Sequence, residues 1–197
     1  MRPNPVDHDL LEALGLGDAY GSHPHRTWDY AIRQTWATPA AFVCGLERIA
    51  EVKVDVDLCA EKHTAKAPIW YGPRSPHGVT NTFKDPWTLE PGLAWCNPDF
   101  ARKAQWADFI VKRGVPTWFL VPNTTDQAWF GRLFCHKRAH LHILQGRLAF
   151  EPPEGVNESQ PRGAVVLWSI NFDAPLLPPH LVVRDVLQIG LARDGDL

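Results

Sequence analysis

An excess of positive charge is the first thing this chain lacks. Over 197 residues, 20 Lys and Arg stand against 22 Asp and Glu, a formal net charge of -2. No global field draws the molecule to a polyanion, so any grip on nucleic acid must come from a local patch. Long apolar runs are missing too: none approaches the roughly 20 residues that a membrane-spanning helix needs. The opening "MRPNPVDHDLLEALGLG" has early acids and no apolar signal core, so it does not read as a secretory signal. Cysteine is sparse. Cys44, Cys59, Cys96 and Cys135 form no CxxC and each sits in an apolar context. They read as reduced, buried thiols of a cytosolic protein. No internal repeat and no low-complexity tract is visible.

What remains is an ordinary soluble composition, 45% hydrophobic and 21% charged, long enough for one domain with a full core. Nine Trp and eighteen Pro are both high, and many prolines fall at loop edges. Residues 1–30 read as a peripheral segment with a short helix from Asp9 to Leu14. Residues 31–197 read as a single domain. "TPAAFVCGLERIAEV" has a helix start, with Thr38 as N-cap and Pro39 at the first helical position. Phe42, Leu46 and Ile49 recur at helical spacing. "KVDVDL" reads as a strand ending near Asp57, and residues 60–92 as a long loop rich in Pro, Gly and His. A loop of that length is either functional or a misassigned element. "LAWC" is a strand, "ARKAQWADFIVKRG" a helix stopped at Gly114, "VPTWFLV" a strand and "TDQAWFGRLFCH" a helix. "AHLHIL" and "AVVLWSI" are strands, and "HLVVRDVLQIGLA" is a closing helix or strand. This alternation predicts an α/β fold with a mostly parallel sheet and an antiparallel edge. Ligands of such sheets bind outside the C-terminal strand ends, where Asp57 and Asn97-Pro98-Asp99-Phe100 fall.

The chemistry of that turn is specific. The lone pair of an exocyclic amine on a base is delocalised into the ring, which makes it a poor nucleophile. Two acceptors aimed at its N–H bonds localise the pair. An Asn side-chain oxygen and the carbonyl of the next Pro supply them, and an aromatic two residues on can stack on an extruded base. "NPDF" resembles the Asn/Asp-Pro-Pro-aromatic motif of amino-methyltransferases. The ordered set "TWATPAAFVCGL", "VDVDLCAEKHTA", "LAWCNPDF", "VPNTTDQAWF" and "HILQGRLAF" resembles phage-type DNA N6-adenine methyltransferases (Dam-like) from about Thr35 to Ile170. That resemblance implies a Rossmann-like fold, S-adenosylmethionine as methyl donor, double-stranded DNA as partner, no metal, and action in the cytoplasm of the host cell of a phage or prophage.

The resemblance also implies roles residue by residue. Trp36, Thr38 and Pro39 stand next to the donor. Asp57 and Ala60 form the donor-binding strand end, and Asn81 lies near the donor adenine. Asn97, Pro98 and Phe100 form the catalytic loop. Thr125, Trp129 and Phe130 match a Thr-x-x-x-Trp-Phe segment, with Thr125 and Trp129 as expected DNA contacts and Trp129 as a candidate stacking ring. Gly146, Arg147 and Phe150 match Gly-Arg-x-x-Phe.

The chain also departs from the family. Asp99 replaces the second Pro, Thr64 stands where Asn is common, and no Gly-rich donor loop follows Asp57. Asp99 is either the N-cap of the next helix or an active-site acid. An active-site role would fit an enzyme acting on a different amine, and a member that binds DNA or a host protein without catalysis stays open. Arg132, Lys137, Arg138 and Arg147 are expected near the catalytic edge as phosphate contacts. Oligomeric state is not legible. His136, His140 and His142 near Cys135 have the look of a metal cluster. Their spacing runs across a helix end into a strand, so His140 and His142 read instead as one face of that strand.

Overall fold

The computed structural model describes residues 36–152 and 164–192, all within the unit Trp36–Leu197. Segment 1–30, its helix Asp9–Leu14 and residues 153–163 of the Pro/Gly loop lie outside the described residues. In chain order the elements are α1 (Ala40–Ala50), β1 (Val56–Asp57), β2 (Ile69–Trp70), β3 (Ala94–Cys96) and a 3-10 turn (Phe100–Arg102). Then come α2 (Lys103–Arg113), β4 (Thr117–Pro122), α3 (Ala128–Phe134), β5 (Ala139–Gln145), β6 (Val165–Ile170), β7 (His180–Val182) and α4 (Val183–Leu191).

The seven strands form one sheet in the order β2-β1-β3-β4-β6-β5-β7. β1 is parallel to β2 and β3, and β3 to β4. β6 runs against both β4 and β5, and β7 lies parallel to β5. The antiparallel pairing expected of the later strands is therefore present on that side of the sheet, while the outermost strand is parallel. The closing segment is a strand followed by a helix. β2 lies inside the stretch read as a loop, at the Ile69-Trp70 pair beside Pro68.

Alternation along β4 divides the core. Trp118 and Leu120 face one side with Phe42, Leu46, Val183 and Val186 of α1 and α4. Phe119 and Val121 face the other with Trp106, Ile110, Phe130 and Leu133 of α2 and α3. A strand covered on both faces reads as a continuous apolar run, as "TWFLV" does. α2 stops where expected, at Gly114 in the left-handed region (φ 80°). α1 starts differently from the expectation: Pro39 occupies the N-cap and no side chain caps the helix. The Thr38 hydroxyl is engaged elsewhere. Among the described residues no helix is long and apolar enough to cross a membrane.

Candidate active site

Because β1, β3, β4 and β5 share a direction, their C-terminal ends meet at one edge of the sheet. Asp57 ends β1, and the register pairs it with Trp95 of β3. Asn97 lies two residues further on. The sheet itself thus carries both residues to one place.

Asn97 leaves β3 with its two amide ends treated differently. Nδ2 donates to Thr38 Oγ1 at 3.0 Å. Oδ1 is buried and has no hydrogen-bond partner among the described residues. Thr38, 2% exposed, is held there by the short bridge between Ala37 and Glu151 (N–O 2.9 and 2.8 Å). A buried acceptor left without a donor costs about 1–3 kcal/mol, so the native fold retains an unfavourable group at this point. Pro98 is buried. Asp99 Oδ1 accepts from Ala101 N at 2.8 Å, so Asp99 caps the 3-10 turn that leads into α2. The Phe100 ring meets Phe150 edge to face at 6.4 Å, which joins the turn to the end of the Gly-Arg-x-x-Phe segment.

Asp57 is 3% exposed. Its Oδ1 accepts from Cys59 N (3.2 Å) and its Oδ2 from Lys66 N (3.1 Å). Burial pushes its carboxyl up to about 7, and these two backbone bonds offset only part of that shift. Burial also lowers the half-buried Lys66 ammonium, against the pull of Glu151 and Asp57. Lys66 carries no motif and was not singled out from sequence. It arrives here because its backbone closes onto Asp57. Beneath the turn, Cys59 Sγ and Cys96 Sγ lie 3.5 Å apart, and burial raises both thiols above their ordinary value.

The other residues expected on the donor side differ in burial. Trp36 is buried, with its indole Nε1 unpartnered among the described residues. Pro39 is half-buried. Ala60 is buried and its N–H donates to Tyr71 O at 3.0 Å. Asn81 is exposed, with its side-chain oxygen engaged by Phe83 N (3.1 Å). Its neighbour Thr82, which sequence reading missed, ties that segment to the end of β1 through Leu58 O at 2.6 Å.

Several expectations need correcting. Trp129 is 4% exposed and packs its ring against Phe119 and Phe130. A stacking platform needs an open face, so Trp129 is a core residue. Lys137 and Arg138 precede β5 and so lie at the opposite edge of the sheet from Asn97. Arg138 there pairs with Asp173 at 2.8 Å and donates to Asn171 O at 2.8 Å. Arg132, in the last turn of α3, pairs with Asp108 on α2 at 2.9 Å. The expected set of DNA contacts is therefore split, and of it only Arg147 and the exposed Thr125 stay at the edge that carries Asn97. The cysteines are free but not uniformly buried: Cys135, at the end of α3, is exposed. His142 is fully buried, its ring nitrogens bonded to Pro178 O (2.7 Å) and Ser169 Oγ (2.8 Å). His140 Nε2 meets Phe172 O at 3.0 Å. Both therefore face the 172–178 segment. Among the described residues no group of three or more His, Cys, Asp or Glu is placed to hold a metal ion.

No curated protein and no solved structure matches the chain. The family model described as DNA N-6-adenine-methyltransferase (Dam) matches residues 26–190, most of the sequence, and the protein belongs to that family.

Proposed function

We propose that the protein methylates the exocyclic amine of adenine in double-stranded DNA, with S-adenosylmethionine as donor, on a Rossmann-like sheet. The observation that carries this reading is Asn97 Oδ1 at the C-terminal end of β3, a buried acceptor with no donor among the described residues. An amine N–H is the group that would complete it. The reversed strand β6 between parallel neighbours supports the fold assignment.

The donor-side residues fit the cofactor. Asp57 sets a buried carboxyl with spare lone pairs at the end of β1, suited to hydroxyl groups, and Trp36 Nε1 is a buried donor without an acceptor among the described residues. Trp36, Thr38, Pro39, Asp57, Ala60 and Asn81 would line its site. S-adenosylmethionine supplies, when bound, an electrophilic methyl group. Asn97 Oδ1 and the Pro98 carbonyl accept from the two amine N–H bonds, which draws the nitrogen towards a tetrahedral geometry. Phe100, braced by Phe150, offers a ring to the flipped base. Catalysis is then positioning plus local electrostatics. Asp99 has a structural task, capping the turn, and no observation assigns it a substrate.

The test is mass spectrometry of nucleosides from DNA incubated with the protein and S-adenosylmethionine. N6-methyladenine is the expected product. Methylcytosine instead, or no methylated base at all, would overturn the reading.

A further inference from the structure

We infer that Thr38 is a positioning residue whose hydroxyl anchors the NH2 end of the Asn97 amide and so holds its oxygen end towards the substrate amine. The inference rests on the proposed chemistry of Asn97 and adds to it a second residue, distant in sequence, with a distinct task.

A carboxamide has two ends of nearly equal size and opposite polarity. Only the oxygen end can accept from an amine, and presenting the NH2 end would set donor against donor. Nothing intrinsic to the Asn97 side chain selects between them. A hydroxyl can donate as well as accept, and in this fold the Thr38 hydroxyl accepts from the NH2 end. Thr38 Oγ1 takes the Nδ2 donor at 3.0 Å, which leaves Oδ1 as the buried end without a partner among the described residues. Thr38 is well placed for this because it is itself immobilised. It is almost completely buried, it follows Ala37, which is bridged on both sides to Glu151, and it precedes the Pro39 N-cap of α1. A threonine before a helix is ordinarily spent on capping. Here no side chain among the described residues caps α1, so the hydroxyl is available to the amide.

Valine has the shape of threonine without the hydroxyl, and serine keeps the hydroxyl. Thr38→Val should lower single-turnover methyl transfer to duplex DNA by about 10–100-fold, the scale for losing orientation at a reacting centre. Single turnover at saturating S-adenosylmethionine keeps any change in donor affinity out of the measured rate, and Thr38→Ser should recover most of that rate. A readout independent of activity is hydrogen exchange of the Asn97 side-chain NH2 by NMR. It should be slow in the wild type and in Thr38→Ser, and faster in Thr38→Val. The inference is overturned if Thr38→Val leaves that exchange unchanged, or if it weakens donor binding while the bound complex reacts at the normal rate. Failure of the adenine reading is separate. It would appear as absent N6-methyladenine in the wild type, and the NMR comparison would still decide the role of Thr38.

Discussion

Asp57 holds an ionisable carboxyl almost completely out of water, and its cost is readable as a pH dependence. Its ordinary value is 3.8 and burial raises it to about 7 in the fold. Between those values the folded state keeps a proton that the unfolded chain has released. Stability therefore falls as pH rises through this window and levels off above it, a loss on the order of 4 kcal/mol. Asp57→Asn removes the titration. The variant should melt lower than the wild type near about pH 4, where it lacks one acceptor. It should gain on the wild type as pH approaches about 8. A difference in melting temperature that stays constant with pH would contradict the buried-carboxylate account. Asn97 and Asp57 were legible in the sequence because each ends an apolar strand. Lys66 and Glu151 were not, since a backbone closure brings Lys66 onto Asp57 and a long-range bridge brings Glu151 towards Lys66, neither with a sequence period. Asp99 was legible only as a choice between two roles, and the bond to Ala101 N fills the capping one.

The helices α1 and α4 show what one element demands of another. They pack so closely that a Cβ on Gly45 would overlap the Val186 carbonyl oxygen, and one on Gly190 the Ala41 carbonyl oxygen. Arg48 of α1 reaches across to the last carbonyls of α4, Ile189 O at 2.8 Å and Ala192 O at 2.6 Å, closing helix ends that have no internal partner. Gly190→Ala would gain about 1 kcal/mol in helix propensity on an open surface. Here backbone meets backbone, so it should instead destabilise by about 1–3 kcal/mol or more. A thermal melt that rises in Gly190→Ala would show that the two helices are free to separate. At this scale α1, α2 and the longer strands were legible from periodicity and from the stop at Gly114. β2 was not, because two residues set no period. The start of α1 was misread because Thr-Pro is a good capping signal locally, and only the fold brings Asn97 to compete for the hydroxyl.

Across the whole molecule, parallel strand direction sorts the charges as well as the site. With a net charge of -2, DNA contact has to be local. The sheet puts Arg102 and Arg147 at the edge of Asn97, and Lys137 and Arg138 at the other edge. Arg102→Gln with Arg147→Gln should weaken duplex binding and reduce the log–log salt slope by roughly one unit per lost phosphate contact. Lys137→Gln with Arg138→Gln removes the same charge and should leave the slope unchanged. Equal effects of the two pairs in a salt titration would argue against a single DNA-facing edge. The most direct measurement for the account as a whole is transfer of labelled methyl from S-adenosylmethionine to duplex DNA by Asn97→Ala beside the wild type. The account predicts a folded variant whose melt moves little, since removing the unpartnered Oδ1 offsets the loss of the Nδ2 bond to Thr38. Methyl transfer should fall by roughly 10²–10³-fold. Near-normal transfer by Asn97→Ala would contradict it.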